Sequence, residues 1–248
     1  MSITIKFFGK KDDLVIDADT LQGYDFSGQN LAGAIFTSVD LSKANFSGAN
    51  LSRAIMTDCE LFEANFSHAN MTHANLNRSR AGNADFSNAN MAMVVASNAD
   101  FKHAIFDNVN LSKSNLYRSN FQWVVFNNTN LDTTQFTCAN LTEANLMKSD
   151  IRRTVFDYTV LDCTVLPKKL LCLYNYEWFI SVCDDMLRIG CKCYSIEEWR
   201  NFDDNEIIDM DVYAIEFWEE FKEEILAIAT AFSEQQLKKI TPSKKQVA

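Results

Sequence analysis

From Leu21 to Leu166 a large residue recurs at every fifth position without a break in register: Leu21, Phe26, Leu31, Phe36, Leu41, Phe46, Leu51, Met56, Leu61, Phe66 and onward. Thirty positions share this phase, and only Ala81 and Ala96 among them are not bulky and apolar. Two residues before each stands a second set, mostly small, such as Ala34, Ala44, Ala54, Ala64, Ala74 and Ala84, with Thr129, Thr134 and Ala139 later. The residue between the two sets is usually Asn or Asp, as in Asn45, Asn50, Asn65, Asn70, Asp85, Asn90 and Asn140. A period of five fits neither the helical period near 3.6 nor the strand period of 2. It is satisfied when each five-residue unit forms one side of a four-sided coil. The large and small residues then point inward and the other three point outward. Asx and small polar residues suit the corners, because their side chains can bond nearby backbone. Coil-on-coil pairing satisfies the main chain and stacks the interior side chains into one core.

The unit small–Asx–Leu/Phe–polar–any, over residues 21–166, resembles the pentapeptide-repeat family. The resemblance implies a β solenoid, a right-handed quadrilateral β-helix with four units per coil. Thirty units then make seven and a half coils, a rod about 36 Å long at a strand spacing of about 4.8 Å. Ala81 and Ala96 fall in one coil, where Ala81 is expected to face Met91 and Phe86 to face Ala96. Large opposite small compensates volume, and Val94 adds bulk beside Ala96. A residual void would make residues 79–98 the softest layer, since core cavities cost a few kcal/mol.

The flanks follow other rules. Residues 1–20 are out of the repeat; Ile3, Ile5 and Phe7 alternate with polar residues and predict a capping strand, with Leu14 and Ile16 packing on the first coil. Pro167 directly follows the last in-phase residue and, having no N–H, is a natural ladder terminator. Residues 167–240 read as a small α+β module. A hairpin is expected over 174–194 with Asp184 and Asp185 at its turn, and Ser195 with Glu198 matches a capping box for a helix from 196 to about 201. Asp203 or Asp204 caps a second helix carrying Ile207 and Ile208. A third is expected from about 212 to 232, with Ile215, Trp218, Phe221, Ile225, Ile228 and Phe232 at helical spacing. The polar tail 241–248 is expected to be disordered. The stretches Leu187–Cys191 and Ser195–Trp199 resemble a small module of phage and bacterial reading frames to which no activity attaches.

Charge narrows the partners. The chain of 248 residues carries 23 Lys+Arg against 33 Asp+Glu, a net charge of −10. Nucleic-acid binding needs a basic footprint, so direct nucleic-acid contact is not expected. Docking on an anionic membrane is disfavoured for the same reason. No apolar run approaches the roughly 18 residues that span a bilayer, and the first residues lack the pattern of a secretory signal. Seven Cys without disulfide-framework spacing point to a reducing cytoplasm.

Signals for catalysis are thin. His68, His73 and His103 sit at outward repeat positions, and His68 with His73 lacks the further ligands a metal would need. Cys191 and Cys193 lack the two-residue spacer of redox or zinc pairs. Cys59 and Cys138 read as small inward residues. No phosphate loop or nucleophile elbow is present. The sequence predicts no enzyme, no cofactor and no metal.

Binding is the better class. The resemblance implies a protein partner, because quinolone-protecting members of the family act on DNA gyrase or topoisomerase by imitating duplex DNA. Residues 21–166 hold 13 acids and 10 bases, a net of −3. A duplex of the same ~36 Å length would hold roughly 20 charges, so the electrostatic copy is poor. Glu216, Glu219, Glu220 and Glu223 make an acidic helix face, read first as a solvated surface. The sharper signal is apolar. Ile105 and Val125 occupy outward Asx positions twenty residues apart, with outward Trp123 beside them, and Met93 and Val95 form a smaller pair on the opposite side, with Ile35 and Ile55 stacked further down. Exposed clusters containing Trp mark interaction sites. The expected function is protein–protein interaction, modulating a DNA-processing enzyme such as a topoisomerase or nuclease, with a homodimer as one outcome. The alternative is a rigid scaffold whose C-terminal module grips the partner.

Overall fold

The computed structural model describes residues 2–9, 12–167, 170–173, 176, 178–190, 192–210 and 214–240, with side chains through 235. Cys191 and the tail at 241–248 lie outside the described residues. The chain divides into two compact units, Met1–Pro167 and Lys168–Ala248.

In the first unit, parallel bridges join residues twenty apart in an unbroken series from Asp25↔Asn45 to Asn145↔Val165. One coil is therefore twenty residues, four units of five. Each unit closes through a turn in which the small residue's N–H donates to the carbonyl of the large residue three before it, as in Ala44 to Leu41 at 3.0 Å. The third turn residue has positive φ at every unit from Gly23 to Cys163 except Lys148 and Arg153, while the second does not, which makes these type II turns. Glycine meets that demand at Gly23, Gly28, Gly33 and Gly48, and Asn at several later corners. Lys43, Arg53, Trp123 and Thr133 adopt it without that advantage. Cys138 belongs here too: it lies at a corner with φ 58°, half-buried, and is not the inward core residue the sequence suggested. Cys59 is inward, its Sγ 2.7 Å from the Phe36 carbonyl, and burial pushes its thiol up to about 11.

The in-phase residues from Leu21 to Phe156 are buried, Ala81 and Ala96 included. Burying each Leu or Phe contributes roughly 1.5–3 kcal/mol, so the core is spread evenly along the axis. Phe26, Phe46, Phe66 and Phe86 form one column with centroids 4.8–5.0 Å apart and planes within 5° of parallel. Asx side chains link the coils outside. Asn45 Nδ2 donates to Asp25 Oδ1 at 3.0 Å, while Asn45 Oδ1 accepts from the Ser47 N–H at 3.1 Å. Towards the C-terminal end, hydroxyls take the small inward position: Thr134 Oγ1 donates to the Leu111 carbonyl at 2.8 Å and Thr154 Oγ1 to that of Leu131 at 2.9 Å.

The open N-terminal end carries two strands, β1 (Ser2–Phe7) and β2 (Leu14–Asp17), in a sheet ordered β2-β1-β3 with β3 (Ala34–Ile35) of the first coil. They extend one side of the ladder by two rungs. Ile5 and Ile16 turn inward and are buried over the first coil; Ile3, Phe7 and Leu14 are only half-buried. Gly33 shows why that corner is glycine: its φ is 72°, and a Cβ there would meet the Phe8 carbonyl oxygen at 3.3 Å.

The second unit begins with an antiparallel sheet ordered β4 (Leu170–Leu173), β5 (Ile180–Cys183), β6 (Met186–Ile189), β7 (Lys192–Ser195). The sequence reading gave only the central hairpin, whose turn at Asp184 and Asp185 joins Cys183 to its partner Met186. Helix α1 (Ile196–Asn201) starts with the expected capping box of Ser195 and Glu198. Asp203 and Glu206 cap α2 (Asp204–Met210) reciprocally. Helix α3 runs Ala214–Ile240, longer than its apolar stripe indicated. Its buried face also uses Phe217 and Leu226, packed with Trp199, Leu187 and Ile189.

Candidate interaction surface

Ile105, Val125, Trp123, Met93 and Val95 are all 37–45% exposed. The twenty-residue coil sorts them. Ile105 and Val125 are directly bridged in parallel, and Trp123 stands two residues before Val125 at the adjoining corner. Val95 is ten residues, half a coil, from Ile105 and therefore on the opposite side. Its ladder neighbours are Asn75 and Asn115, and Asn75 separates it from the Ile35↔Ile55 pair. The five residues thus make one apolar cluster and one isolated pair.

Trp123 is held in place by neighbours. The His103 ring stacks on it with centroids 4.9 Å apart and planes 15° from parallel. Lys102 Nζ lies 4.5 Å from the ring centroid, within cation–π range. Phe62, 44% exposed, continues the same corner: its ring occupies the space over Gly82, where a Cβ would sit 3.6 Å from Phe62 Cδ2. Sequence reading missed Phe62, although its register twenty residues before Gly82 and forty before Lys102 placed it there.

Main-chain bonding is interrupted beneath this cluster, although the Ile105↔Val125 bridge is kept. Large residues' N–H groups typically donate to the next coil, as Phe86 does to Ile105 at 2.9 Å. Among the described residues, the bonds expected from Phe106 N–H to Val125 and from Val125 N–H to Ala104 do not reach hydrogen-bond geometry. The turn bonds from Val109 to Phe106 and from Thr129 to Phe126 are missing as well. Bulk is concentrated in this layer. Val109, Val124 and Thr129 fill inward positions that usually hold Ala, next to Phe101, Phe106, Phe121 and Phe126. The phenylalanine column tilts to 23° at Phe86–Phe106 and 35° at Phe106–Phe126. Thr129 Oγ1 takes the Phe106 carbonyl instead, at 2.6 Å. The bonds across residues 79–98 are intact, so the layer that carries Ala81 and Ala96 keeps its main-chain pairing.

Part of the charge on the rod is paired. Arg78 grips Asp58 with two bonds at 2.7 Å, Arg80 meets Glu60 at 2.8 Å and Lys43 meets Glu63 at 3.6 Å. Arg152 and Arg153 hold Asp150 and Asp132. The guanidinium of Arg78 holds the Asp58 carboxyl below its ordinary range. In the second unit Glu216, Glu219, Glu220 and Glu223 are exposed along α3. Among the described residues no group of three His, Cys, Asp or Glu is set to hold a metal ion. No helix among them is long and apolar enough to cross a membrane.

Among solved structures, a trypsin-treated variant of QnrB1, a plasmid-mediated fluoroquinolone resistance protein, is similar at 25% identity, covering 58% of this chain and 86% of that chain with a TM-score of 0.36. HetL, a pentapeptide repeat protein involved in heterocyst differentiation regulation from the cyanobacterium Nostoc sp. strain PCC 7120, is similar at 17% identity, covering 60% of this chain and 85% of that one, TM-score 0.22. A pentapeptide repeat protein from the Arabidopsis thaliana thylakoid lumen shares 26% identity over 50% of this chain and 69% of its own, TM-score 0.20. No curated protein matches the chain. Pentapeptide repeats, in 8 copies, match residues 21–58, 59–92, 97–132 and 114–153, together more than half of the sequence. Proteins of that kind fold as right-handed quadrilateral β-helices, and the ladder above repeats every twenty residues, four units of five. The chain belongs to the pentapeptide repeat family.

Proposed function

We propose that this protein acts by protein–protein interaction, docking its repeat unit on a partner through Ile105, Val125 and Trp123. The observation that carries this reading is the apolar cluster itself: a buttressed Trp beside two stacked β-branched residues, on a wall that is otherwise mostly Asx. Rigid aromatic side chains with little entropy left to lose make effective interface anchors. The target class proposed is a DNA-processing enzyme such as a topoisomerase or nuclease, by analogy with quinolone-protecting relatives. Close imitation of a duplex is the weaker version of that reading. Five carboxylates of the rod are tied to Lys or Arg, which leaves a broken acidic surface where DNA has a continuous one.

Two measurements test it together. Capture of partners from the native host and a gyrase supercoiling assay are run with the full chain and with Trp123→Ala. The expected result is unchanged circular dichroism and at least roughly tenfold weaker capture or inhibition for the variant, the loss typical of an aromatic hot spot. Equal capture by both proteins rejects the cluster as the docking site.

The scaffold reading keeps one observation of its own. The second unit has a separate core of Ile180, Val182, Leu187, Trp199, Trp218 and Ile225, so it is built as a module in its own right. In that reading the exposed Glu face of α3 meets the partner. Simultaneous Glu216→Gln, Glu219→Gln, Glu220→Gln and Glu223→Gln then abolishes capture, while Trp123→Ala leaves it intact.

A further inference from the structure

The outermost strand of the N-terminal cap is a second candidate contact, independent of the Trp123 cluster. β2 ends the sheet order β2-β1-β3, so among the described residues one main-chain edge of Leu14–Asp17 has no partner strand. An unpaired edge is a template for another strand. Proteins usually blunt such edges with lysine, proline or a bulge. None of Leu14, Val15, Ile16 and Asp17 is lysine or proline, and the register with β1 runs without a bulge from Ser2↔Asp17 to Ile5↔Leu14. Val15 is 62% exposed on the outer face of this strand, while Ile16 is buried and fixes the strand's rotation.

The charges around β2 select the occupant. Asp12, Asp13, Asp17 and Asp19 are all exposed. If a second copy paired antiparallel about Val15, Asp13 of one chain would face Asp17 of the other, and like charges directly opposite destabilise a strand pair. The same carboxylates attract an incoming strand that carries Lys or Arg at alternate positions. We propose that β2 is a docking edge for an extended, basic segment of a partner protein, which adds as one further rung to the N-terminal sheet. Main-chain bonds supply the affinity, Val15 meets an apolar side chain of the incoming strand, and the Asp residues select for its basic ones.

The probe is a blocked, alternating Lys-Val peptide of about seven residues, measured by fluorescence anisotropy against the full chain. Two companions control for the net charge of the protein: a Glu-Val peptide of equal length, and the Lys-Val peptide N-methylated at alternate amides, which keeps its charge but cannot pair. The Lys-Val peptide is expected to bind, the N-methylated one at least roughly tenfold more weakly, and the Glu-Val one not at all. Amide exchange at residues 14–17 is expected to slow when the Lys-Val peptide is bound. The double variant Asp13→Lys, Asp17→Lys is expected to reverse the preference in favour of the Glu-Val peptide. Equal binding of the methylated and unmethylated peptides, unchanged exchange at 14–17, or a dimer of the unaltered protein that protects those amides would each overturn the proposal.

Discussion

At Thr133 a β-branched side chain is held at φ 56°, with its Oγ1 buried and without a hydrogen-bond partner. A left-handed L-residue costs about 1–2 kcal/mol, and glycine recovers most of that less its own chain entropy. Thr133→Gly is therefore expected to raise stability by roughly 1 kcal/mol, read as a higher urea midpoint at unchanged slope. Thr134, the next residue, has the opposite role, because its hydroxyl ties one coil to the Leu111 carbonyl of the coil before. Thr134→Val keeps the shape and removes the bond, and is expected to cost about 1 kcal/mol. The Asx layer gives a pH signature. Asp25 is held below the usual 3.8 by the Ser27 N–H and Asp40 by the Ser42 side chain, while Asp58 and Asp150 are lowered by Arg78 and Arg152. A lowered folded value contributes stability that is fully present above 3.8 and is lost as pH falls through the folded values. The melting temperature is expected to be flat from neutrality down to about pH 5 and to drop below pH 4. A curve that stays flat to pH 2 would show these bonds to be without net effect.

The elements differ in how they fail. The coils repeat one hydrogen-bond scheme, so opening is expected where that scheme is interrupted. Amides of Phe106, Val109, Val125 and Thr129 should exchange faster than their counterparts Phe86, Ala89 and Ile105 in earlier coils. Protection that is uniform along the rod would contradict this expectation. The cap depends on one residue: Gly33→Ala places a Cβ at 3.3 Å from the Phe8 carbonyl in a left-handed backbone. The expected cost is about 1–2 kcal/mol, with increased exchange confined to β1 and β2.

For the whole molecule, each compact unit has its own core, and a terminal solenoid coil is stable only when its end is closed. The repeat unit carries its own N-terminal closure in Ile5 and Ile16. Partner selection also belongs to this scale. The acidic balance of the chain bears on what approaches it, while the distribution of that charge decides where. On the rod part of it is neutralised locally by Arg78, Arg80, Lys43, Arg152 and Arg153. The cap and α3 carry exposed carboxylates too, at Asp12, Asp13 and Asp17 and at four Glu residues.

Register alone determined the coil. A bulky residue every fifth position can be buried in only one way when four units close a turn, so the buried set, the outward set and the stacking of Ile105 under Val125 were readable before any coordinates. The capping box at Ser195 was equally legible, because it is a local bond across three residues. Tertiary structure decided what depends on contacts between distant residues. The strands β4 and β7 gained partners that no local pattern announced. The assignment of Cys138 to a corner followed from counting along the coil, whereas its residue type had suggested core. The missing bonds around Val125 lie where Val109, Val124, Thr129 and four phenylalanines drawn from two coils share the interior. Periodicity says which residues share an interior; only the packed interior shows how their volumes are accommodated.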